Sequence, residues 1–339
     1  MSSADQATLT KRLLDTLMGA PVAHALYVAT KFGFADHLAS EPKTSTELAR
    51  LSNAHASSVL RLLRALAGSG LFVELDDGRF ANTPLSELLR TDTPNSMRNN
   101  VLFLHHDIMS SAWTKLGDTI GTGKPSFDLY YGEELWQYLW KHPEVGAVFD
   151  AGMTSLSTMY ANAVANAYDF EGIGTVCDVG GGRGILLGTI LTKYPRLRGI
   201  LFDQPQVVAS VGEGHDWAPV KERCQVVGGN FFESVPEADA YVLKSVIHDW
   251  SDEDAVRILK TVHKAAKPGQ TLLLFEAIVQ PGNEPDDGKI LDLFMMVMTS
   301  GGRERTEKEF ATILNAAGFD LVRVIPTQSN KSILESRRR

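Results

Sequence analysis

Six polar side chains stand where apolar runs of the sequence stop: Asp178, Asp203, Asn230, Lys244, His248 and Glu276. The plainest case is "YVLKSVIHDWSDED", in which a run with the look of a buried strand gives way to a lysine, a histidine and an aspartate. An imidazole titrates near neutrality and can take a proton from a bound molecule. Carboxylates and an amide at neighbouring points can accept hydrogen bonds from hydroxyl and amino groups. Such residues point to a site that holds a polar ligand and moves a proton.

The elements that would position them follow from the period of the sequence. From Thr175 onward, short apolar runs ("TVCDV", "GILFD", "CQVVGGN", "AYVLK", "TLLLFE") alternate with helix-like stretches such as "GILLGTILTKYP" and "DEDAVRILKTVHKAA". That alternation predicts βαβ units and a parallel sheet covered on both faces, an α/β fold. In such sheets ligands bind outside the carboxyl ends of the strands, where these polar residues fall. The closing stretch "FDLVRVIPTQSNKSILESR" reads as two strands joined by a polar turn, and the terminal "RRR" as a solvated tail.

The first strand ends in Asp178 and runs into "GGGRG", which gives Gly180, Gly182 and Gly184. A dinucleotide turn would have its third glycine one place later. Asp203 lies about 20 residues on, where a carboxylate can accept from ribose hydroxyls. The combination fits a nucleoside cofactor without a required pyrophosphate, and S-adenosylmethionine leads; a tight glycine turn with no ligand is the alternative.

"DVGGGRG", "LFDQPQVV", "GGNFFESVPEADAYVLKSVIHDWSDEDAVRIL" and "GGRERTEKEF" closely resemble the small-molecule O-methyltransferases typified by plant caffeic acid methyltransferases and bacterial polyketide-tailoring enzymes. The resemblance spans nearly the whole chain. It implies a Rossmann-like class I methyltransferase domain, cofactor contacts at Gly180, Asp203, Asn230, Phe231 and Lys244, and a catalytic base at His248 oriented by Glu276 and Glu304. Asp178 and Gly182 join the cofactor set on their place in the glycine turn. The family usually has "GDFF" where this chain has "GNFF"; the Asn230 carbonyl can still accept from an adenine amine, so the departure bears on affinity.

The chemistry implied sets its own demands. Methyl transfer from a sulfonium to oxygen is an in-line displacement, and a phenol of pKa near ~10 must lose its proton as attack proceeds. A histidine suits that role, with a carboxylate to fix its tautomer. Competing explanations are structural. His248 could be a polar residue before a helix capped by Ser251, Glu276 an exposed strand end, and Glu304 a partner to Arg303 or Arg305. Acceptor-pocket walls are expected at Trp113, Phe127, Phe149, Met153, Leu291, Phe294, Met295 and Thr299. From Phe149 onward these match family pocket positions by their offset from the motifs. Methylation of nitrogen, or a non-methylating use of the cofactor, is the alternative function.

The amino-terminal third reads as helices. "ATLTKRLLDTLMGAPVAHALYVATKFGFADHLA" has apolar residues at helical spacing, interrupted by Gly19 and Pro21. A helix capped by Thr44 or Ser45, a turn at Ser52 and Asn53, a helix over 56–67 and a hairpin at Asp77-Gly78 make a winged helix. It offers a DNA duplex only Arg61 and Arg64 on its second helix, with acids slightly in excess, so a DNA-binding regulator is disfavoured. The resemblance makes this region a dimerisation domain, and the chain a homodimer. We expect domains over 1–95 (winged helix), 96–170 (helical, contributing to the acceptor pocket) and 171–339 (cofactor binding).

Composition agrees. The 339 residues are 44% hydrophobic and 22% charged with formal net charge -8, which disfavours nucleic acid and anionic membranes as partners. Cys177 and Cys224 are the only cysteines and suggest a cytosolic setting. No secretory signal or membrane-length apolar run is expected, and no His/Asp/Glu cluster has the sequence spacing of a metal site.

Overall fold

The computed structural model describes residues 3–94, 96–209, 211, 217 and 219–339. Two compact units result, one of Met1–Ser110 with His142–Ser155, the other of Ser111–Lys141 with Leu156–Arg339.

In the first unit a helix runs unbroken from Ser3 to Lys31 with Pro21 inside it, where the sequence suggested an interruption. An interior proline costs a helix about 3 kcal/mol and one hydrogen bond. The turns that follow it offset this, because Tyr27 and Ala29 are buried and Val22, Ala25 and Leu26 pack on the winged-helix core. The preceding turns leave Leu9, Leu13, Leu14, Leu17 and Met18 at least half exposed.

The winged helix then forms as its sequence signals direct. Thr44 and Glu47 make a reciprocal capping box for the helix Ser45–Leu51. Asn53 turns the chain at φ 51°. The helix Ala56–Gly68 buries Val59, Leu63 and Leu66, spaced for one helical face. Strands β1 (Phe72–Glu74) and β2 (Phe80–Asn82) pair antiparallel and bury Phe72 and Phe80. Arg64 of the second helix is held by Glu74 at 3.0 Å.

The second unit is built on a sheet of β3 (Thr175–Val179), β4 (Arg198–Asp203), β5 (Cys224–Gly228), β6 (Ala240–Lys244), β7 (Thr271–Glu276), β8 (Phe319–Pro326) and β9 (Ser332–Arg338), in the order β5-β4-β3-β6-β7-β9-β8. The first five are parallel; β9 joins β7 antiparallel and β8 follows as its hairpin partner. Side-chain alternation divides the interior strands between two cores. Cys177, Val179, Tyr241, Leu243, Leu272 and Leu274 face the helices Asp252–Ala265 and Glu307–Ala317. Val176, Ala240, Val242, Leu273 and Phe275 face the helix Ile185–Lys193 and residues 160–165. The chain leaves β3 toward β4 and β5, then returns to lay down β6 and β7 on its other side. The strand order therefore reverses between β3 and β6, the place at which sheets of this kind bind ligands beyond their carboxyl ends.

The arginine-rich terminus is not a loose tail. β9 runs to Arg338, Arg337 Nη1 reaches Thr271 Oγ1 at 2.6 Å, and Arg339 N donates to the Gly318 carbonyl at 3.0 Å. Three like charges suggested solvent, but backbone pairing and cross-strand partners hold them.

Candidate active site

All the strand-end residues lie in the second unit. Gly180 and Gly182 carry φ of 72° and 57°, a conformation glycine adopts without strain. Gly180 N donates to the Phe202 carbonyl at 2.8 Å, tying the turn to β4. A Cβ on Gly182 would meet nothing within 4 Å, so the turn opens onto free space there. Asp203 braces it, accepting from Gly182 N at 2.8 Å and from Gln204 N at 2.7 Å. Asp178 is 2% exposed, and neither carboxyl oxygen has a hydrogen-bond partner among the described residues. Burial, opposed by Lys244, pushes it up to about 7.

The other end of this row is cationic. Lys244 closes β6 and donates to Ser157 Oγ at 3.0 Å; burial pushes it down to about 8. Asn230 follows β5 and is exposed. Its Oδ1 accepts from Phe232 N at 3.0 Å, and its Nδ2 donates to Glu233 at 3.2 Å. Phe231 stands edge-on to Trp250 at 5.8 Å.

A buried carboxylate with both oxygens free, beside glycine backbone that faces open space, fits a ligand carrying positive charge and backbone-matched polar groups. S-adenosylmethionine, a sulfonium with an α-amino group and a ribose, has that character.

His248 sits in the turn Ile247–Asp249, after β6 and before the Ser251-capped helix. Nδ1 lies 2.7 Å from Glu304 Oε1. A carboxylate only accepts, so Nδ1 carries a proton, and in the neutral ring Nε2 is then the bare nitrogen. Glu304 is fixed in turn by its own N–H, which donates to Asp292 Oδ1 at 2.8 Å. Glu276 behaves differently. Its Oε1 accepts from Val246 N at 3.0 Å and Ile247 N at 2.9 Å, while Oε2 stands 3.8 Å from Nδ1. Glu304 holds the ring, and Glu276 holds the backbone that carries it. Burial works to lower the imidazole's affinity for its proton, but Glu276, Asp249 and Glu304 outweigh it, with Lys331 opposing them; the net shift is upward.

Ligand-type atoms of His248, Glu276 and Glu304 lie within 4.8 Å of one another, a closeness that the sequence spacing did not foretell. Nδ1 and Oε1 lie at hydrogen-bond distance, 2.7 Å, and a cation there would have to displace the proton between them. We read the cluster as an imidazole–carboxylate pair.

The chain matches an O-methyltransferase domain over residues 113–320 and an O-methyltransferase dimerisation domain over 14–92. It belongs to the O-methyltransferase family. A phenazine O-methyltransferase of Lysobacter antibioticus is 42% identical, with 98% of each chain covered. An 8-amino-8-demethylriboflavin N,N-dimethyltransferase of Streptomyces davaonensis is 34% identical over 98% of this chain and 96% of its own. Among solved structures, a methyltransferase of calicheamicin biosynthesis in its SAH-bound form superposes with a TM-score of 0.88 at 36% identity, covering all of both chains. The protein is thus an O-methyltransferase whose methyl donor is S-adenosylmethionine, built on a class I methyltransferase fold with a helical amino-terminal dimerisation domain. Among the described residues no helix is long and apolar enough to cross a membrane.

Within this O-methyltransferase the expected pocket residues fall into separate groups. Trp113 and Phe294 approach at 6.3 Å between ring centres. Leu291 and Phe294 are half-buried on the helix Asp287–Met298; Met295 and Thr299 are buried, joined by Thr299 Oγ1 donating to the Met295 carbonyl at 2.9 Å. Phe127 is fully buried against Tyr131 and Tyr138. Phe149 and Met153 belong to the first unit, where Phe149 stands edge-on to Phe103 at 5.3 Å.

Three residues of the site escaped the sequence reading. Asp249 Oδ1 lies 3.6 Å from His248 Nε2, and burial pushes its carboxyl up to about 6. Arg305, fully buried, donates from Nη1 to the Ile247 carbonyl at 3.0 Å and from Nη2 to the Trp250 carbonyl at 2.8 Å, gripping the turn on both sides of His248. Arg303 N donates to the His248 carbonyl at 2.8 Å. A Cβ on Gly302 would stand 2.2 Å from Thr299 Oγ1 and 2.9 Å from that same carbonyl, so this loop closes only with glycine. Lys331 is the third, taken up below. Adjacency to His248 and Glu304 was the available signal for Asp249 and Arg305; nothing in the sequence flagged Lys331.

Proposed function

We propose that this enzyme methylates a hydroxyl of a small aromatic or polyketide-like metabolite, with His248 as general base. The observation that carries the reading is the 2.7 Å contact between His248 Nδ1 and Glu304 Oε1. It presents a bare Nε2 in a buried turn beside the strand ends. Bound S-adenosylmethionine supplies a methyl carbon made electrophilic by its sulfonium. Nε2 of the neutral ring would take the hydroxyl proton as the acceptor oxygen attacks that carbon. Glu304 stabilises the imidazolium that results. Asp178, Gly180, Gly182, Asp203, Asn230, Phe231 and Lys244 are the residues proposed to hold the cofactor. The half-buried Trp113, Leu291 and Phe294 suit a flat apolar acceptor, and the similarity to a phenazine O-methyltransferase supports that class.

The leucine face of the amino-terminal helix is too apolar to stay in water, which supports a homodimer through this domain. The free thiols Cys177 and Cys224 favour the cytoplasm.

A second reading, transfer to nitrogen, rests on the similarity to an N,N-dimethyltransferase. Turnover of a hydroxyphenazine and of the matching aminophenazine separates the two. The O-methyl reading expects the phenol to be methylated and His248→Gln to abolish most of that rate. Methylation of the amine alone, undiminished in His248→Gln, would replace it with the second.

A further inference from the structure

Lys331 is 4% exposed, and among the described residues its ammonium is held by a hydroxyl and an aromatic ring and not by a carboxylate. Nζ donates to Ser245 Oγ at 2.7 Å and lies 5.4 Å from the centre of the Tyr160 ring. A buried cation held by one hydroxyl and one aromatic face is expensive unless negative charge stands a little farther off. The backbone that delivers it is firmly set. Thr327 Oγ1 donates to the Lys331 carbonyl at 2.6 Å, and Lys331 N donates to Ser329 Oγ at 3.2 Å. Its anchor, Ser245, sits at φ 54°, in the left-handed region, between Lys244 and the two N–H groups bound by Glu276. A serine rarely takes that conformation without support.

We propose that Lys331 is a positioning residue for His248: it pins the Ser245 turn that leads into the base and balances the carboxylates gathered around the imidazole. The proposal rests on His248 being the base. The charged groups that act on the imidazole are Asp249 on its own turn at 3.6 Å, Glu276 at the end of β7 at 3.8 Å, Glu304 from the loop before the helix Glu307–Ala317 at 2.7 Å, and, through Ser245, Lys331 ahead of β9. Three are acids. Unopposed, they would hold the imidazole protonated to higher pH, and a protonated ring cannot accept the acceptor's proton. Lys331 is the opposing charge. It also faces Lys244, adding to the burial that lowers that group's proton affinity, so its removal lets both His248 and Lys244 keep their protons longer.

The test needs no acceptor. Histidine-labelled protein is titrated by NMR, with the His248 ring signal assigned by its loss in His248→Gln. Lys331→Gln keeps a donor for Ser245 but drops the charge; the His248 midpoint should rise by about one pH unit, and Lys331→Arg should restore it. Ser245→Gly takes the positive φ freely and loses only the anchor, so it should give a smaller rise, and it serves alone if Lys331→Gln does not fold. An unmoved midpoint in Lys331→Gln, or in Ser245→Gly should it stand alone, overturns the proposal. Full turnover of a hydroxyphenazine by His248→Gln would overturn the base reading instead, while leaving the titration result intact.

Discussion

Two regions of this molecule invert the usual rule of inside and outside, in opposite directions. The amino-terminal helix puts Leu13, Leu17 and Met18 into solvent at 64, 59 and 55% exposure. Beyond β6 and β7, Glu276 and Glu304 are 0 and 2% exposed, with one oxygen of each lacking a hydrogen-bond partner among the described residues. Exposed leucines and buried free carboxylate oxygens each cost free energy in an isolated, resting chain. The first suits the proposed apolar partner, and the second the proposed reaction in which charge appears.

Substitutions at the buried end should have the largest effects. His248→Gln should leave the affinity for S-adenosylmethionine, measured calorimetrically, nearly unchanged while turnover falls about 10²–10⁴-fold. Normal turnover on the true acceptor would strip the buried carboxylates of their purpose. Glu304→Gln should cost turnover about 10²-fold, since an amide no longer selects the Nδ1–H tautomer. Glu276→Gln should cost less, because its main bonds go to backbone. Both should move the midpoint of the pH–rate curve down, for each removes a negative charge that favours imidazolium. The wild-type rate should rise with pH through a midpoint above the ordinary histidine value, as the upward shift of His248 requires. An unshifted or lower midpoint would contradict the crowding of acids described above.

At the exposed end, Leu13→Glu with Leu17→Glu should turn a dimer into a monomer at micromolar concentration by sedimentation velocity; a wild-type monomer would show the leucine face to be idle. The smallest effect tests a part that inverts nothing. Thr44→Ala removes the capping box of the winged helix and should lower stability by about 1 kcal/mol with no change in turnover.

Much of this was legible in the sequence. β3, β6 and β7 lie where "TVCDV", "AYVLK" and "TLLLFE" place them, because strands buried on both faces read as unbroken apolar runs. The polar residues at their ends could be read for the same reason: polarity is conspicuous where such a run stops. The division of labour between Glu276 and Glu304 was not legible. Both are carboxylates brought to one imidazole, and only the fold decides which meets the ring and which meets backbone. Arg305 and Lys331 act on residues 58 and 86 positions away, and local pattern carries no trace of such pairings. At Pro21 a local preference for a break yields to burial, and at the terminal arginines a preference for solvent yields to strand pairing.

Asp292 has a consequence for how this scaffold can diversify. It sits on the same helix as Leu291, Phe294 and Met295, yet it alone of these reaches across to the Glu304 backbone. One helix therefore mixes replaceable positions with a fixed one. Under the proposed function, Leu291 and Phe294 can be exchanged to admit acceptors of other shapes while His248 keeps its register, provided that the single aspartate is kept. A library randomised at 291 and 294 should yield active enzymes of altered preference, whereas one that includes 292 should yield mostly silence.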